Sequence, residues 1–309
     1  MENLLHVGLD VGSTTVKIVV MNENRNTIYR DYQRHFSDTK NTVCNVLENL
    51  ATRYPNSLLT IALTGSGAMS AAKFLDLPFI QEVVACKRAV EKYIPQTDVV
   101  IELGGEDAKI IYFDKSIEQR MNGTCAGGTG AFIDQMASLL HTDPTGLNEL
   151  AKKYKMIYPI ASRCGVFAKT DIQPLLNEGA AKEDIAASIF QAVVNQTISG
   201  LACGRPIRGH VAFLGGPLNY LSELRKRFIE TLKLTDEKII VPDEAHLLVA
   251  KGAALDSVNT NAITIEKLRS KIGVLKVSHD DTSVPLHPLF TTDLEYEEFK
   301  KRHENDKVE

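Results

Sequence analysis

The sequence predicts an α/β protein built from two related domains that face each other across a cleft. A strand–turn–strand pattern occurs at 6–20 and again, about ninety residues later, at 99–112. Apolar strand patterns alternate with helical patterns along the remaining chain, which is typical of the α/β class. The 309 residues are enough for two domains that each bury a core.

The two strand–turn–strand units share one spacing of charged residues. In each, an apolar strand ends on a carboxylate, a glycine follows two residues later, and a lysine follows seven residues later. These residues are Asp10, Gly12 and Lys17 in the first unit and Glu102, Gly104 and Lys109 in the second. Each unit predicts a β-hairpin with a glycine-containing turn. We therefore predict a first domain over 1–95 and a second over 96–257, with a helix at 245–257 completing the first.

Helices and further strands follow from the local patterns. Two further strands are predicted at 209–214, before a Gly215-Gly216-Pro217 turn, and at 238–241. Helical periodicity indicates helices at 42–54, 67–75, 83–93, 129–141, 165–177, 182–201, 221–232 and 245–255. The pattern breaks down beyond about residue 275, and we expect 258–309 to form a tail or interdomain linker.

Composition and charge narrow the class of protein. Residues 275–309 carry 5 basic and 9 acidic side chains, which leaves 30 of each sign in the rest of the chain. That balance gives no support for a nucleic-acid partner. We expect a cytoplasmic protein without a membrane segment, because no apolar run reaches about 18 residues and the N-terminus lacks the regions of a signal peptide. The odd number of cysteines, five, argues against a disulfide framework.

The glycine-rich turns are candidates for a nucleotide site, because such turns direct backbone N–H groups and hydroxyls at phosphate oxygens. Asp10 could hold Mg²⁺ through water, and Glu102 could do the same or orient an attacking water. Plain hairpins with solvated lysines are the alternative. The other candidates are Gly12, Ser13, Thr14, Thr15 and Lys17 in the first turn, Gly104, Gly105, Glu106, Asp107 and Lys109 in the second, Gly127 and Gly128, and the adenosine-type turn Gly215, Gly216 and Pro217.

Two cysteines occur where a loop enters a predicted helix. Cys125 lies in Gly-Thr-Cys-Ala-Gly-Gly-Thr-Gly, and Cys164 lies in Ser-Arg-Cys-Gly-Val-Phe. A helix N-terminus stabilises a thiolate or an anionic cluster. An iron–sulfur cluster usually needs four thiolates, so a two-fold dimer would complete one shared cluster from two such pairs. For Cys44, Cys86 and Cys203, which lack a glycine-rich flank, we expect ordinary packing.

The phosphate turns and the Gly-Gly turn, in this order, resemble those of the superfamily of acetate and sugar kinases, actin and the heat-shock-chaperone ATPase. Together with the two cysteine motifs, they narrow the resemblance to the ATP-dependent activators of 2-hydroxyacyl-CoA dehydratases, the BadF/BadG/BcrA/BcrD-type ATPases. The resemblance covers residues 4 to about 257. It implies two ribonuclease H-like domains around a nucleotide cleft.

The resemblance also implies a mechanism. Members of this family are homodimers that bind MgATP (or ADP) in each subunit and share one 4Fe-4S cluster, which Cys125 and Cys164 of both subunits would hold. The cluster receives an electron from a ferredoxin or flavodoxin. ATP-driven rearrangement then passes the electron to a dehydratase-like or reductase-like iron–sulfur partner. Other functions compatible with the sequence are a small-molecule (sugar) kinase and a non-catalytic nucleotide-sensing module.

The chain departs from the family pattern at one position. Family members often have Asp-Ile-Gly-Gly-Gln-Asp where this chain has Glu102-Leu-Gly-Gly-Glu106-Asp107, which adds a negative charge near the phosphates. The chain is closer in sequence to long fused members of the family, in which activator-like domains precede a dehydratase- or reductase-like region. The similarity lies in this motif, in Phe-Leu-Gly-Gly-Pro-Leu and in Pro242-Asp-Glu-Ala-His246. We therefore expect the acidic segment after residue 275 to be the start of an interdomain linker.

Overall fold

A computed structural model of the chain confirms the predicted α/β class. It describes residues 3–114, 117–123, 126–162, 164–278 and 287–305. The described residues divide into two units, Met1–Val277 and Ser278–Glu309. The first unit contains two mixed sheets of five strands each, together with most of the helices.

Each sheet consists of three consecutive antiparallel strands and two further strands, which lie beside the first of the three. The strands of the first sheet are β1 (Leu4–Val11), β2 (Thr15–Met21), β3 (Thr27–Arg34), β4 (Leu58–Thr64) and β10 (Ile263–Thr264). Those of the second sheet are β5 (Val99–Leu103), β6 (Ala108–Tyr112), β7 (Glu118–Met121), β8 (Val211–Leu214) and β9 (Ile239–Ile240). Sequence reasoning missed β3, β4, β7 and β10.

The helices match the predicted ones to within a few residues, and four additional helices are present. The helices are α1 (Thr39–Arg53), α2 (Ala68–Leu75), α3 (Glu82–Tyr93), α4 (Gly130–Leu139), α5 (Pro144–Ala151), α6 (Gly165–Asn177), α7 (Lys182–Thr197), α8 (Gly216–Tyr220), α9 (Ser222–Leu232), α10 (Leu248–Ser257), α11 (Ile265–Val277) and α12 (Asp293–Asn305). The four that the sequence patterns did not indicate as separate helices are α5, α8, α11 and α12.

The two sheets repeat one topology. The strand order is β3-β2-β1-β4-β10 in the first sheet and β7-β6-β5-β8-β9 in the second. In both sheets, the central strand is antiparallel to its hairpin partner on one side and parallel to its neighbour on the other side. The parallel pairs are β1 with β4 and β5 with β8. The repeated spacing in the sequence therefore reflects the same hairpin register in both sheets, which places Asp10 opposite Lys17 and Glu102 opposite Lys109.

Helices α3 and α10 lie between the two sheets. Apolar residues of both helices share one buried cluster with strands of the second sheet, while α10 also packs on β1 and β4 of the first. The contacts are close enough to require glycine. A Cβ added to Gly8 of β1 would lie 2.0 Å from the Ala250 carbonyl oxygen, and one added to Gly252 would lie 1.8 Å from the Ala85 carbonyl oxygen.

The expected tail over 258–309 begins later than predicted. Strand β10 pairs antiparallel with β4, and Ile265, Leu268, Ile272 and Leu275 of α11 are buried in the core of the first sheet. Residues up to Val277 therefore belong to the folded unit. The buried positions of α11 recur at helical spacing, and its charged residues lie outside the core, as in an amphipathic helix. The two-domain division itself remains our proposal.

One helical stretch within the described residues, Lys182–Ala202, is long and apolar enough to cross a membrane by length and composition alone. Polar residues such as Gln191, Asn195 and Gln196 interrupt this stretch, so it is not a continuous apolar run. About 67% of its most apolar window is buried. Eleven residues of α7 are buried, and its apolar ones lie in the core beneath the second sheet, as expected for the central helix of a folded domain.

The second unit contains one polar helix, α12. None of its residues is buried within the described part of the chain. Phe290 packs against Tyr296 and Phe299, with ring centroids 4.8 and 5.7 Å apart. This polar helix lies within the segment predicted from the sequence as a tail or interdomain linker.

The close contact of α10 with α3 gives a stability prediction. Gly252→Ala is expected to lower the free energy of unfolding by about 1–3 kcal/mol, because the new methyl group would overlap the Ala85 carbonyl. Gly273→Ala is the control, since a Cβ there meets nothing within 4 Å. It should be neutral or stabilising by up to about 1 kcal/mol, because alanine favours helix. Urea unfolding of both variants tests this, and equal stabilities would contradict it.

Candidate nucleotide site

A cleft of about 370 Å³ lies between the two sheets, at the ends of β1, β5 and β8. It brings together residues from all three predicted turns, the first and last of which are about two hundred positions apart in sequence. The predicted residues that line it are Asp10, Thr14, Thr15, Lys17, Glu102, Gly104, Gly105, Gly215, Gly216 and Pro217.

The first turn carries a buried ion pair. The Lys17 ammonium donates to Asp10 Oδ2 at 2.7 Å, and the Asp10 side chain is only 3% exposed. Burial opposes the charge of Lys17, but the Asp10 carboxylate outweighs it and raises the pKa of Lys17 above its ordinary value. Gly65, at φ +102°, approaches Asp10 closely, since a Cβ there would lie 2.5 Å from Asp10 Oδ1. No sequence argument had selected this Gly65 turn after β4.

In the second turn, the lysine forms its ion pair with a carboxylate from outside the hairpin. The Lys109 ammonium donates to Glu82 Oε1 at 2.6 Å and lies 3.9 Å from Asp107. Burial, and then the neighbouring Glu102 carboxylate, raise the pKa of Glu82 to about 7. Glu102 Oε2 is buried and has no hydrogen-bond partner among the described residues. Sequence reasoning missed Glu82, which begins α3 and carried no local motif.

The two hairpin turns contact each other across the cleft. The Glu106 backbone N–H donates to Ser13 Oγ at 3.2 Å. A Cβ added to Gly105 would lie 2.1 Å from Thr14 Oγ1, so only glycine allows this approach. The turns are therefore positioned to enclose a small group between them.

Several predicted residues lie near the cleft without lining it. The Gly12 amide donates to the Thr15 carbonyl at 2.9 Å within the first turn. The Glu106 side chain is exposed and does not line the cleft. Gly128, at φ +79°, packs near Gln196 of α7. The residues in this group are Gly12, Ser13, Glu106, Asp107, Lys109, Gly127 and Gly128.

Aromatic and charged side chains that were not predicted also line the cleft. Tyr32, Tyr220 and His246 form a cluster with ring centroids 5.1–6.1 Å apart, next to the Gly215 turn. Arg34 of β3 and Asp134 of α4 form an ion pair of 2.6 Å between the two halves. These residues lie on elements whose position is set by tertiary packing, and no local pattern marks them.

The structure describes one of the two motif cysteines. Cys164 immediately precedes α6 in extended conformation and is partly exposed, and no side chain caps that helix start. Cys125 lies outside the described residues. Cys44 and Cys86 are buried, as expected, whereas Cys203 is exposed in left-handed conformation, which corrects the expectation of packing. Among the described residues, no group of three or more His, Cys, Asp or Glu side chains could hold a metal ion.

Helix α4 connects the second turn with the surroundings of Cys164. The Gly130 and Ala131 amides at its start donate to the carbonyls of Gly104 and Gly105, at 3.0 and 2.7 Å. Farther along α4, Gln135 lies against Gly165, the residue after Cys164, since a Cβ on Gly165 would be 3.3 Å from Gln135 Oε1. One helix thus contacts both the cleft turn and the cysteine-bearing helix start.

The chain has two sheets of the same topology, and each sheet carries a carboxylate-bearing hairpin turn at a shared cleft. This arrangement defines the actin-like ATPase and sugar-kinase fold. Within that class, residues 7–257 match the BadF/BadG/BcrA/BcrD ATPase family, and the chain belongs to this family.

Relatives of the chain agree with this assignment. It is 31% identical to the 2-hydroxyisocaproyl-CoA dehydratase activator of Clostridioides difficile, over 81% of this chain and 93% of the relative. It is 31% identical to the (R)-2-hydroxyglutaryl-CoA dehydratase activating ATPase of Acidaminococcus fermentans, over 68% and 82% of the two chains. The solved activator from Clostridium difficile with bound ADPNP superposes with a TM-score of 0.71 and 26% identity, covering 89% of this chain and 98% of that one.

The half-buried His246 gives a pH prediction. Burial lowers the pKa of His246 to about 4, from an ordinary value of 6.5. Between these pH values the unfolded chain binds a proton that the folded chain does not, so stability is complete above pH 6.5 and is lost as the pH falls towards 4. Urea unfolding at pH 4.5 and 7 should therefore show a smaller loss for His246→Gln than for wild type. The exposed His287 provides the control His287→Gln, which should follow wild type; identical pH dependence in all three would contradict the prediction.

Proposed function

We propose that this chain is a cytoplasmic, homodimeric, ATP-hydrolysing activator. It passes low-potential single electrons from a ferredoxin or flavodoxin to a 2-hydroxyacyl-CoA dehydratase-like or reductase-like iron–sulfur partner. Membership of the ATPase family supports the first part of this proposal. The named activities of the two dehydratase activators support the second.

The observation that carries the proposal is the contact of α4 with both sites. Because the first amides of α4 are bonded to the Gly104 and Gly105 carbonyls, a shift of this turn on nucleotide binding or hydrolysis moves the helix start. The same helix packs against the residue after Cys164. A sugar kinase would need no such connection between its phosphate turn and a cysteine-bearing helix.

The charge of the cleft supports binding of the nucleotide as its magnesium complex. Of the residues that the structure describes, two cations, Lys17 and Arg34, line the cleft against four carboxylates, Asp10, Glu102, Asp134 and Asp143. A polyphosphate would meet net repulsion there unless a divalent cation accompanied it. Buried oxygens without partners among the described residues, Thr64 Oγ1 and Glu102 Oε2, suit a hydrated Mg²⁺ or an attacking water.

The surroundings of Cys164 suit a shared 4Fe-4S cluster. Its sulfur lies at an uncapped helix start, where free backbone N–H groups favour a thiolate and an anionic group. We assign Cys125 and Cys164 of both subunits as the ligands. When bound, the cluster supplies a one-electron redox centre, whose potential depends on hydrogen bonding, charge and exposure.

Exposed apolar residues beside Cys164 support the homodimer. Val166 and Phe167, in the first turn of α6, are 69% and 64% exposed. Large apolar side chains next to a cysteine motif are typical of a surface covered by a partner. A second copy placed on a two-fold axis would cover these side chains and bring the thiolates together.

Cluster content tests the proposal. Anaerobically purified and reconstituted protein should contain about four irons and four acid-labile sulfides per dimer. Cys164→Ala should lose them, because a required thiolate is gone. Cys203→Ala removes an exposed cysteine outside the motifs and should keep them. Absence of specific iron from wild type, with ATP binding intact, would contradict the electron-transfer role and favour a kinase or nucleotide-sensing module.

Hydrolysis depends on Glu102 in this proposal. Glu102→Gln should lower kcat for ATP hydrolysis by about 10²-fold or more, because the buried carboxylate orients and deprotonates water. The KM for ATP should change little. Glu106→Gln, in the same turn, is the matched control and should retain activity, since its side chain is exposed. Steady-state phosphate release measures both, and equal activities would exclude the role of Glu102.

A further inference from the structure

The loop between β3 and α1 is bonded to the first hairpin turn. His35, the residue that follows β3, is only 6% exposed. Its ring Nε2 lies 3.2 Å from the Gly12 carbonyl oxygen, and its backbone N–H donates to the Thr14 carbonyl at 3.1 Å. One residue of a separate strand–helix connection therefore holds two carbonyls of the first turn.

The contacts of the His35 ring determine which of its nitrogens carries the proton. The Ser37 backbone N–H donates to Nδ1 at 3.1 Å, so Nδ1 must offer its lone pair. A neutral imidazole that accepts at Nδ1 carries its proton on Nε2. A carbonyl oxygen can only accept, so Nε2–H donates to Gly12 and the two contacts agree. The ring is thus a directed donor to the first turn.

The backbone that presents the His35 ring is strained. Phe36 and Ser37 have φ values of +46° and +68°, and the Asp38 amide donates to the His35 carbonyl across them at 2.7 Å. A turn with two left-handed central residues is usually formed by asparagine and glycine. Burial of an apolar side chain does not compensate for this strain, since Phe36 is 82% exposed. The turn does direct the Ser37 N–H at Nδ1, which is the bond that orients the ring.

The bond from His35 sets the direction of an amide in the first turn. The C=O and the following N–H of a trans peptide point in opposite directions. With the Gly12 carbonyl directed at His35, the Ser13 N–H therefore points to the other side of the turn. His35 does not line the cleft, whereas Thr14 and Thr15 do. Neither the Ser13 nor the Thr14 amide donates a hydrogen bond to a described residue, so both are available to phosphate oxygens.

From these contacts we infer that His35 is a positioning residue for nucleotide binding: its ring fixes the Gly12 peptide so that the first turn presents the Ser13 and Thr14 amides to the polyphosphate of ATP. The inference rests on the proposed function. His35 supports the turn from outside the cleft lining and does not itself contact the nucleotide. Without the bond to His35, the Gly12 peptide could rotate and direct its carbonyl oxygen, which repels phosphate, towards the nucleotide.

Two substitutions separate the two bonds of the His35 ring. His35→Asn places an Oδ1 where Nδ1 lies, so it can still accept from the Ser37 N–H as in an Asx turn, but it is too short to reach the Gly12 carbonyl. His35→Gln places an amide N–H near the position of Nε2 and restores a donor to Gly12. The first variant therefore keeps the loop and removes the bond to the turn, and the second returns that bond.

The test measures ATP affinity of the 309-residue protein by isothermal titration calorimetry in the presence of Mg²⁺. His35→Asn should raise the Kd for ATP about tenfold, the effect of one lost hydrogen bond. His35→Gln should return the Kd to within about twofold of wild type. Ser37→Asn is the matched control in the same loop, because it keeps the backbone N–H and suits the left-handed φ of Ser37. Its Kd should equal that of wild type.

Calorimetry separates positioning from structural damage, since it reports the folded fraction as the stoichiometry of binding and the affinity as Kd. An unchanged Kd in His35→Asn, with wild-type binding intact, would overturn this inference alone. Equal losses of affinity in His35→Asn and His35→Gln would overturn it as well, because the donor to Gly12 would then have no effect. Wild type that does not bind ATP would instead overturn the proposed function.

Discussion

The close packing of α10 and α3 between the two sheets is the constraint on which the rest of the arrangement depends. Gly8 and Gly252 allow α10 to contact β1 and α3 at backbone distance. Helix α3 and one face of α10 share a buried cluster with β5, β6 and β8, while another face of α10 packs on β1 and β4. Both sheets therefore pack on the same pair of helices. The carboxyl ends of β1 and β5 therefore meet at one cleft, and Asp10 and Glu102 face a common volume.

The electrostatics of that cleft follow from unequal pairing in two similar hairpins. Lys17 neutralises Asp10, while Lys109 is shared between carboxylates and is bound most closely by Glu82. Burial, with Glu102 nearby, raises the pKa of Glu82 to about 7, so the pair of glutamates does not carry two full charges at neutral pH. A duplicated scaffold can in this way supply two carboxylates with different environments and different chemical uses.

Short, direct contacts connect the cleft with the surroundings of Cys164. The Gly104 and Gly105 carbonyls accept hydrogen bonds from the start of α4, and the same helix packs at the start of α6 beside Cys164. A rigid helix moves as a unit, so a small displacement at one end is transmitted to the other. In the proposed function, this contact provides a physical route by which the Gly104–Gly105 turn and the cysteine motif could act together.

The α/β class, the duplicated hairpins and most helix positions could be predicted from the sequence, because strand and helix periodicity and glycine turns are local signals. The repeated spacing indicated Asp10 and Glu102 as candidates, and the pair of glycines after an apolar strand indicated the Gly215 turn. The partner of Lys109, the place of α11 in the first sheet's core, and the cluster of Tyr32, Tyr220 and His246 become visible only in the folded chain. These features join residues that are distant in sequence, and a lysine at a given spacing binds whichever carboxylate the packed helices bring nearest.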